Sequence, residues 1–210
     1  MFDLSTLALF SSASILLALA PGPDNLFVLT QSALKGRLVG IVVTLGLCTG
    51  LIVHTSAVAL GVAALFQASA LAFNLLKFAG AAYLLYLAWG AFRAGANANP
   101  LTTKASREIT LTQYYLRGIV MNVTNPKVSI FFLAFLPQFT HPEKGSLPLQ
   151  LIGLGGIFIV VTLVVFGGVS LLAGVIGERF RRSARAQKIL NRTAGAVFAG
   201  LALKLVTASR

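Results

Sequence analysis

"ALAPGPDNLF", residues Ala18 to Phe27, interrupts an otherwise apolar stretch that starts near Leu4. Pro21 and Pro23 flank Gly22, and a carboxylate, Asp24, and an amide, Asn25, follow at once. A helix that crosses a bilayer should contain neither fault. Proline removes a backbone donor and frees a carbonyl one turn earlier. A charged side chain near the bilayer centre costs about 2.5–3.5 kcal/mol on insertion scales. Both faults fall in one place, and the rest of the chain explains why.

Composition sets the surroundings. Of 210 residues, 57% are hydrophobic and 10% charged, and the mean hydropathy is +0.86. A soluble domain carries about a quarter charged residues. Apolar stretches recur at about 4–34, 39–65, 71–93, 113–139, 149–176 and 189–207. About 20 apolar residues suffice to cross a hydrocarbon core of roughly 30 Å as a helix. The expectation is an all-α integral membrane protein of six transmembrane helices. The opening stretch ends in "LALA", as a secretory signal does, but has Asp3 and no basic residue ahead of it; it is expected to be retained.

A net charge of +12 would suggest nucleic acid in a soluble chain. Here the basic residues crowd the short gaps, so no nucleic acid is expected and the charges are topology signals. Lys35, Arg37, Arg93, Lys104, Arg107, Arg117 and the run from Arg179 to Arg192 lie in or beside the first, third and fifth gaps. Lys77, Lys144, Lys204 and Arg210 fall on the other side. By the positive-inside rule the odd gaps face the cytoplasm and both termini lie outside. The fifth gap also has the charge to touch anionic lipid headgroups.

A second break lies in the fourth span, "RGIVMNVTNPKVSIFF", where Asn122, Asn125 and Pro126 interrupt the run and Lys127 follows. The chain thus reads as one transporter domain over 1–210. Repeat one covers about 1–95, a cytoplasmic loop about 96–112, and repeat two about 113–210. Each repeat has three spans and opens on a helix broken at PGP (21–23) or NPK (125–127). Three is odd, so the second set enters the membrane from the opposite side, as in an inverted repeat. Matched broken helices are the best sequence pointer to a transporter's binding site.

An unwound stretch must be buried in protein or line a wet cavity. Pro23 and Pro126 suit the first position of a new half-helix, capped by Gly22 and Asn125. Asp24 is favoured by the dipole at such a start, and Lys127 is opposed by it. Each charge needs a partner, which pairing of the two supplies, either directly or through a bound zwitterion. An amino acid would place its ammonium at Asp24 and its carboxylate at Lys127.

Other residues are weaker candidates. Gln31, two turns beyond Asp24, lines the same cavity or merely packs. His54, midway along the second span, is either a proton relay or a neutral, hydrogen-bonded side chain. Thr44, Gly46, Thr49 and Gly50 fit a close helix crossing. Tyr83, Tyr86 and Trp89 fit packing or an interfacial anchor, and Lys77 is expected to snorkel outward. Cys48 stands alone and His54 and His141 are far apart, so neither a metal site, a redox pair nor another cofactor is expected.

The segments from Ala18 to Gly50, "LLKFAGAAYLLYLAWGAFR", "RGIVMNVTNPKVSIFFLAFLPQF" and "NRTAGAVFAGLAL" together resemble the lysine exporter superfamily, most closely its homoserine/threonine efflux branch. The likeness spans about residues 8–205. It implies a bacterial inner-membrane exporter of amino acids or their derivatives, driven by the proton gradient and built from two inverted repeats. The family's motif positions fall on Pro21, Gly22, Pro23, Asp24, Asn25, Asn122, Asn125, Pro126 and Lys127. Asp24 is the choice for substrate ammonium or proton coupling, and Lys127 for the carboxylate or as counter-ion. The expected partners are the solute, protons and lipid, with a second copy of the chain left open. A passive channel is the main alternative. A membrane redox carrier needs a cysteine in each half, and an enzyme needs more acids than Asp24 inside the membrane.

Overall fold

Helix α1 (Leu4–Leu19) stops because Ala20, ahead of Pro21, takes φ −59° and ψ 127°, the extended conformation that a following proline favours. Gly22 is also extended, and α2 (Pro23–Lys35) starts with Pro23 in its first turn. The two helices are bent by 59°. Gly36, at φ 94°, makes the left-handed turn for which glycine is suited. It leads into α3 (Arg37–Ala57), which runs on through a π-turn at Val58–Val62. Next comes α4 (Ala70–Arg93). The computed structural model describes residues 2–20, 22–62, 70–93 and 110–207, and among these every regular element is helical. Pro21 and most of the segment 96–112 lie outside the described residues.

The second half opens on α5 (Leu111–Val123), started by a capping box between Thr110 and Gln113. Asn125, at φ −75° and ψ 109°, precedes Pro126 as Ala20 precedes Pro21. Then α6 (Pro126–Ile130) continues as a π-turn at Phe131–Phe135 and a 3₁₀ turn at Leu136–Phe139. This bend is 49°. The chain ends in α7 (Leu147–Arg182) and α8 (Ala184–Thr207).

Among the described residues, three helical stretches are long and apolar enough to cross a membrane: Arg37–Gly61, Leu147–Ala173 and Arg185–Thr207. Each bent pair adds one more if it is a single span, making up to five. Helix α4 turns Leu75, Leu85, Tyr86 and Trp89 outward and packs its other side on α8. The fifth gap differs from expectation, because α7 continues through it to Arg182. That stretch contains no proline, and its arginines and glutamate are good helix formers. Ser183 then starts α8, its hydroxyl accepting the Ala186 N–H at 3.2 Å.

Two apolar clusters bracket the breaks. The larger holds Phe10, Phe131, Phe132, Phe135, Phe139 and Phe158, with the Phe131 and Phe158 ring centres 5.2 Å apart. The smaller gathers Val28, Val43, Leu47, Tyr114 and Phe166. Helices α3 and α5 touch at backbone level. A Cβ on Gly46 would lie 2.1 Å from the Tyr115 carbonyl oxygen, and one on Gly118 would lie 2.5 Å from that of Val43. The small residues of α3 thus serve the close crossing. On the outer surface Lys144 donates to Asp3, tying the start of α1 to the loop before α7; that bond holds the Asp3 carboxyl below its ordinary pKa.

Candidate functional site

The end of α1 leaves carbonyls with no intrahelical partner, and the membrane interior makes such groups costly. Among the described residues, only the Leu16 oxygen is taken by a backbone donor, the Ala20 N–H at 2.9 Å. The Ala18 oxygen accepts from the Asn25 amide at 2.6 Å. The Leu17 and Ala20 oxygens both accept from the Lys127 ammonium, at 3.1 and 3.2 Å. Lys127 therefore crosses from the second break to finish the first. Gly22 lets it in, since a Cβ there would stand 3.2 Å from its Nζ.

This placement departs from a direct Asp24–Lys127 pair. Both residues are buried and each charge acts on the other. Yet the ammonium bonds to α1 and forms no ion pair with Asp24. The physical reason is local: two fixed carbonyls at a helix C-terminus offer a cation both acceptors and a favourable dipole. Lys127→Met should therefore destabilise the fold by about 2 kcal/mol, because two buried acceptors lose their donor. Thermal unfolding in detergent reads this. An unchanged midpoint would mean that the ammonium does not hold α1.

Asp24 opens α2, where the helix dipole favours a carboxylate. Its Oδ2 accepts from the Asn122 amide at 3.2 Å; its Oδ1 makes no hydrogen bond of ordinary geometry, with the Asn125 side-chain amide close enough to act on the carboxylate. Asn122 is held from two sides. Its backbone oxygen accepts from His54 Nε2 at 3.1 Å, so that nitrogen carries the proton. Its side chain fits only because residue 50 is glycine, where a Cβ would fall 2.7 Å from Asn122 Oδ1. Asn125 caps α6, its Oδ1 accepting the Lys127 N–H at 3.0 Å. The Asn122 Oδ1 and the Asn125 Nδ2 are buried and unpartnered.

The breaks are thus packed against each other, with Asp24, Asn122, Asn125 and Lys127 buried and Asn25 partly so. Gln31 lies on the same buried face of α2 as Asp24. His54 binds a carbonyl at the second break and stacks 5.6 Å from Phe132. Tyr86 and Trp89 face outward, with Arg93 over the indole at 4.3 Å. Lys77 does not snorkel. It is buried because it shares the packed stripe of α4 with Ala81, Leu84 and Ala88, its ammonium 5.0 Å from the Phe78 ring centre.

One residue that sequence reasoning missed is Thr162 in the middle of α7, 3% exposed, with a hydroxyl that meets no partner. A threonine in an apolar helix ordinarily bonds back to its own turn, so nothing in its neighbours marks it.

Comparison with known proteins adds to this geometry. A family model described as LysE type translocator matches residues 15–209. A homoserine/homoserine lactone efflux protein of Salmonella typhimurium is 38% identical over 185 residues, 88% of each chain. A membrane protein of Vibrio cholerae, named as uncharacterized, is 33% identical over 196 residues, 93% of each chain. Another, from Pseudomonas aeruginosa, is 34% identical over 203 residues, 93% of this chain and 92% of that one. No solved structure matches the chain.

Proposed function

The chain belongs to the LysE type translocator family, and on that premise we propose that it is a secondary exporter of amino acids or their derivatives, working by proton antiport in a bacterial inner membrane. The observation that carries the reading is the unpartnered oxygen of Asp24, buried where the two breaks meet. A lone carboxylate of this kind takes a proton or a substrate ammonium, and the two exclude each other. Loss of one then favours gain of the other, which is the condition for exchange. Two helices broken at matching positions support a six-span inverted repeat with its site at the breaks. The positive-inside asymmetry supports termini on the outer side.

Homoserine and its lactone are the first solutes to test, because the Salmonella relative is named for them. Lys127 holds α1 in this state, so a substrate carboxylate would reach it only by displacing a carbonyl. The experiment loads vesicles containing the chain with labelled homoserine, its lactone, threonine and leucine. Release of at least one solute should follow an imposed proton gradient and stop when an uncoupler collapses it. Release that continues down the solute gradient after the uncoupler would make the protein a passive channel. No release of any solute would remove the export reading.

A further inference from the structure

We propose that Thr162 is a ligand of the substrate ammonium, completing with Asp24 and Asn122 a three-acceptor subsite for a primary amine. The proposal rests on the export reading above and adds to it a residue of the fifth span. Six serines and threonines are buried among the described residues: Ser14, Ser32, Thr44, Thr55, Thr162 and Ser170. Five of them donate to the carbonyl four residues earlier, at 2.6–2.9 Å. This is the usual way a hydroxyl is satisfied in an apolar helix. Thr162 alone does not, although Phe158 offers a carbonyl in the same position. A buried hydroxyl without a partner loses roughly 1–3 kcal/mol, and such a group calls for an explanation.

The register of α2 against α7 shows where it sits. A Cβ on Gly40 would strike both the Ser32 and the Ser170 hydroxyl, so these two face each other. One turn earlier, Val28 and Phe166 share the smaller apolar cluster. One turn earlier again come Asp24 and Thr162. From the other direction, Phe158 packs on Phe132 at 5.3 Å, and Phe132 lies 5.6 Å from the His54 ring, which bonds the Asn122 carbonyl. Thr162 is therefore held at the depth of the breaks, on the buried stripe of α7.

The chemistry of the unpartnered atoms names the ligand. Asp24 Oδ1 and Asn122 Oδ1 can only accept, the Thr162 hydroxyl can accept, and Asn125 Nδ2 alone can only donate. The Asn assignments follow from their bonds: Asn122 Nδ2 donates to a carboxylate, and Asn125 Oδ1 accepts a backbone N–H. Three acceptors suit the three N–H groups of a primary ammonium. The ligand class is a compound with an unsubstituted amine.

The test uses the full chain in proteoliposomes and counterflow of labelled homoserine, with N-methylhomoserine as competitor. Thr162→Val should raise the KM for homoserine about tenfold, the loss expected for one hydrogen bond to a charged group, with the saturated rate little changed. Thr162→Ser, which keeps the hydroxyl, should track the wild type. N-methylation removes one N–H, so it should weaken binding to the wild type about tenfold and to Thr162→Val hardly at all, because the two deletions share one bond. A purely structural threonine would give the same N-methyl penalty in both proteins, and that result overturns the proposal, as does an unchanged KM. Should Thr162→Val fail to fold, Thr162→Ala carries the same comparison. If the wild type and Thr162→Val move homoserine equally while Asp24→Asn does not, this inference falls and the export reading stands. If the wild type moves none of homoserine, its lactone, threonine and leucine, both fall.

Discussion

Asp24→Asn should reach the membrane at wild-type level and export essentially nothing. Insertion should not suffer, because the change removes a charge that costs about 2.5–3.5 kcal/mol inside the bilayer. The fold should not suffer either. The asparagine oxygen can still accept from the Asn122 amide, as the carboxylate does in this structure. What disappears is the group that takes a proton or an ammonium. Losing the charged partner of a buried pair costs about 2–5 kcal/mol, so transport should fall on the order of 100-fold or more. Exchange with protons should vanish altogether. The measurement is counterflow of the exported solute by purified protein whose thermal stability has been checked. Wild-type counterflow by this variant would remove Asp24 from the mechanism.

The largest effect on stability is expected at the crossing of α3 and α5. Gly46→Val places a side chain where the Tyr115 carbonyl oxygen stands 2.1 Å from the first added carbon and the Gly118 Cα 3.1 Å from it. Both obstacles are backbone, so no rotamer change relieves the clash and the helices must part. Overpacking of a tight core costs about 1–3 kcal/mol, and this contact exceeds ordinary overpacking because neither helix can yield alone. The same displacement would pull His54 from the Asn122 carbonyl and Thr49 from Tyr115, so activity should fail with stability. Gly156→Ala on α7 is the control, since nothing lies within 4 Å of a Cβ there. It should stay within about 0.5 kcal/mol of wild type, as surface changes do. Unfolding in detergent distinguishes the pair. Equal midpoints for Gly46→Val and wild type would mean that the helices do not cross this closely.

The breaks were legible because proline acts locally. Ala20 and Asn125 turn extended for reasons present in the dipeptides Ala20–Pro21 and Asn125–Pro126, whatever surrounds them. The glycines of α3 were legible because small residues at helical spacing have few other uses in a membrane. Partners across the fold were not. Lys127 sits one residue after its proline just as Asp24 does, and that symmetry suggested a pairing of the two, directly or through a bound zwitterion. Its actual partners are carbonyls of Leu17 and Ala20, which depend on how far the first break swings under the second. Lys77 was misjudged for the same reason: nothing local shows that its stripe faces α8. Thr162 was invisible because its distinction is a bond it does not make.

The bond from Lys127 to α1 also bears on the order of assembly. During synthesis the first helix emerges more than a hundred residues before the ammonium that completes its end. Until the chain has grown past the second break, two carbonyls at the first must be tended by water or by lipid headgroups. The amino-terminal half is therefore left unfinished by its own sequence, and the two halves become native together.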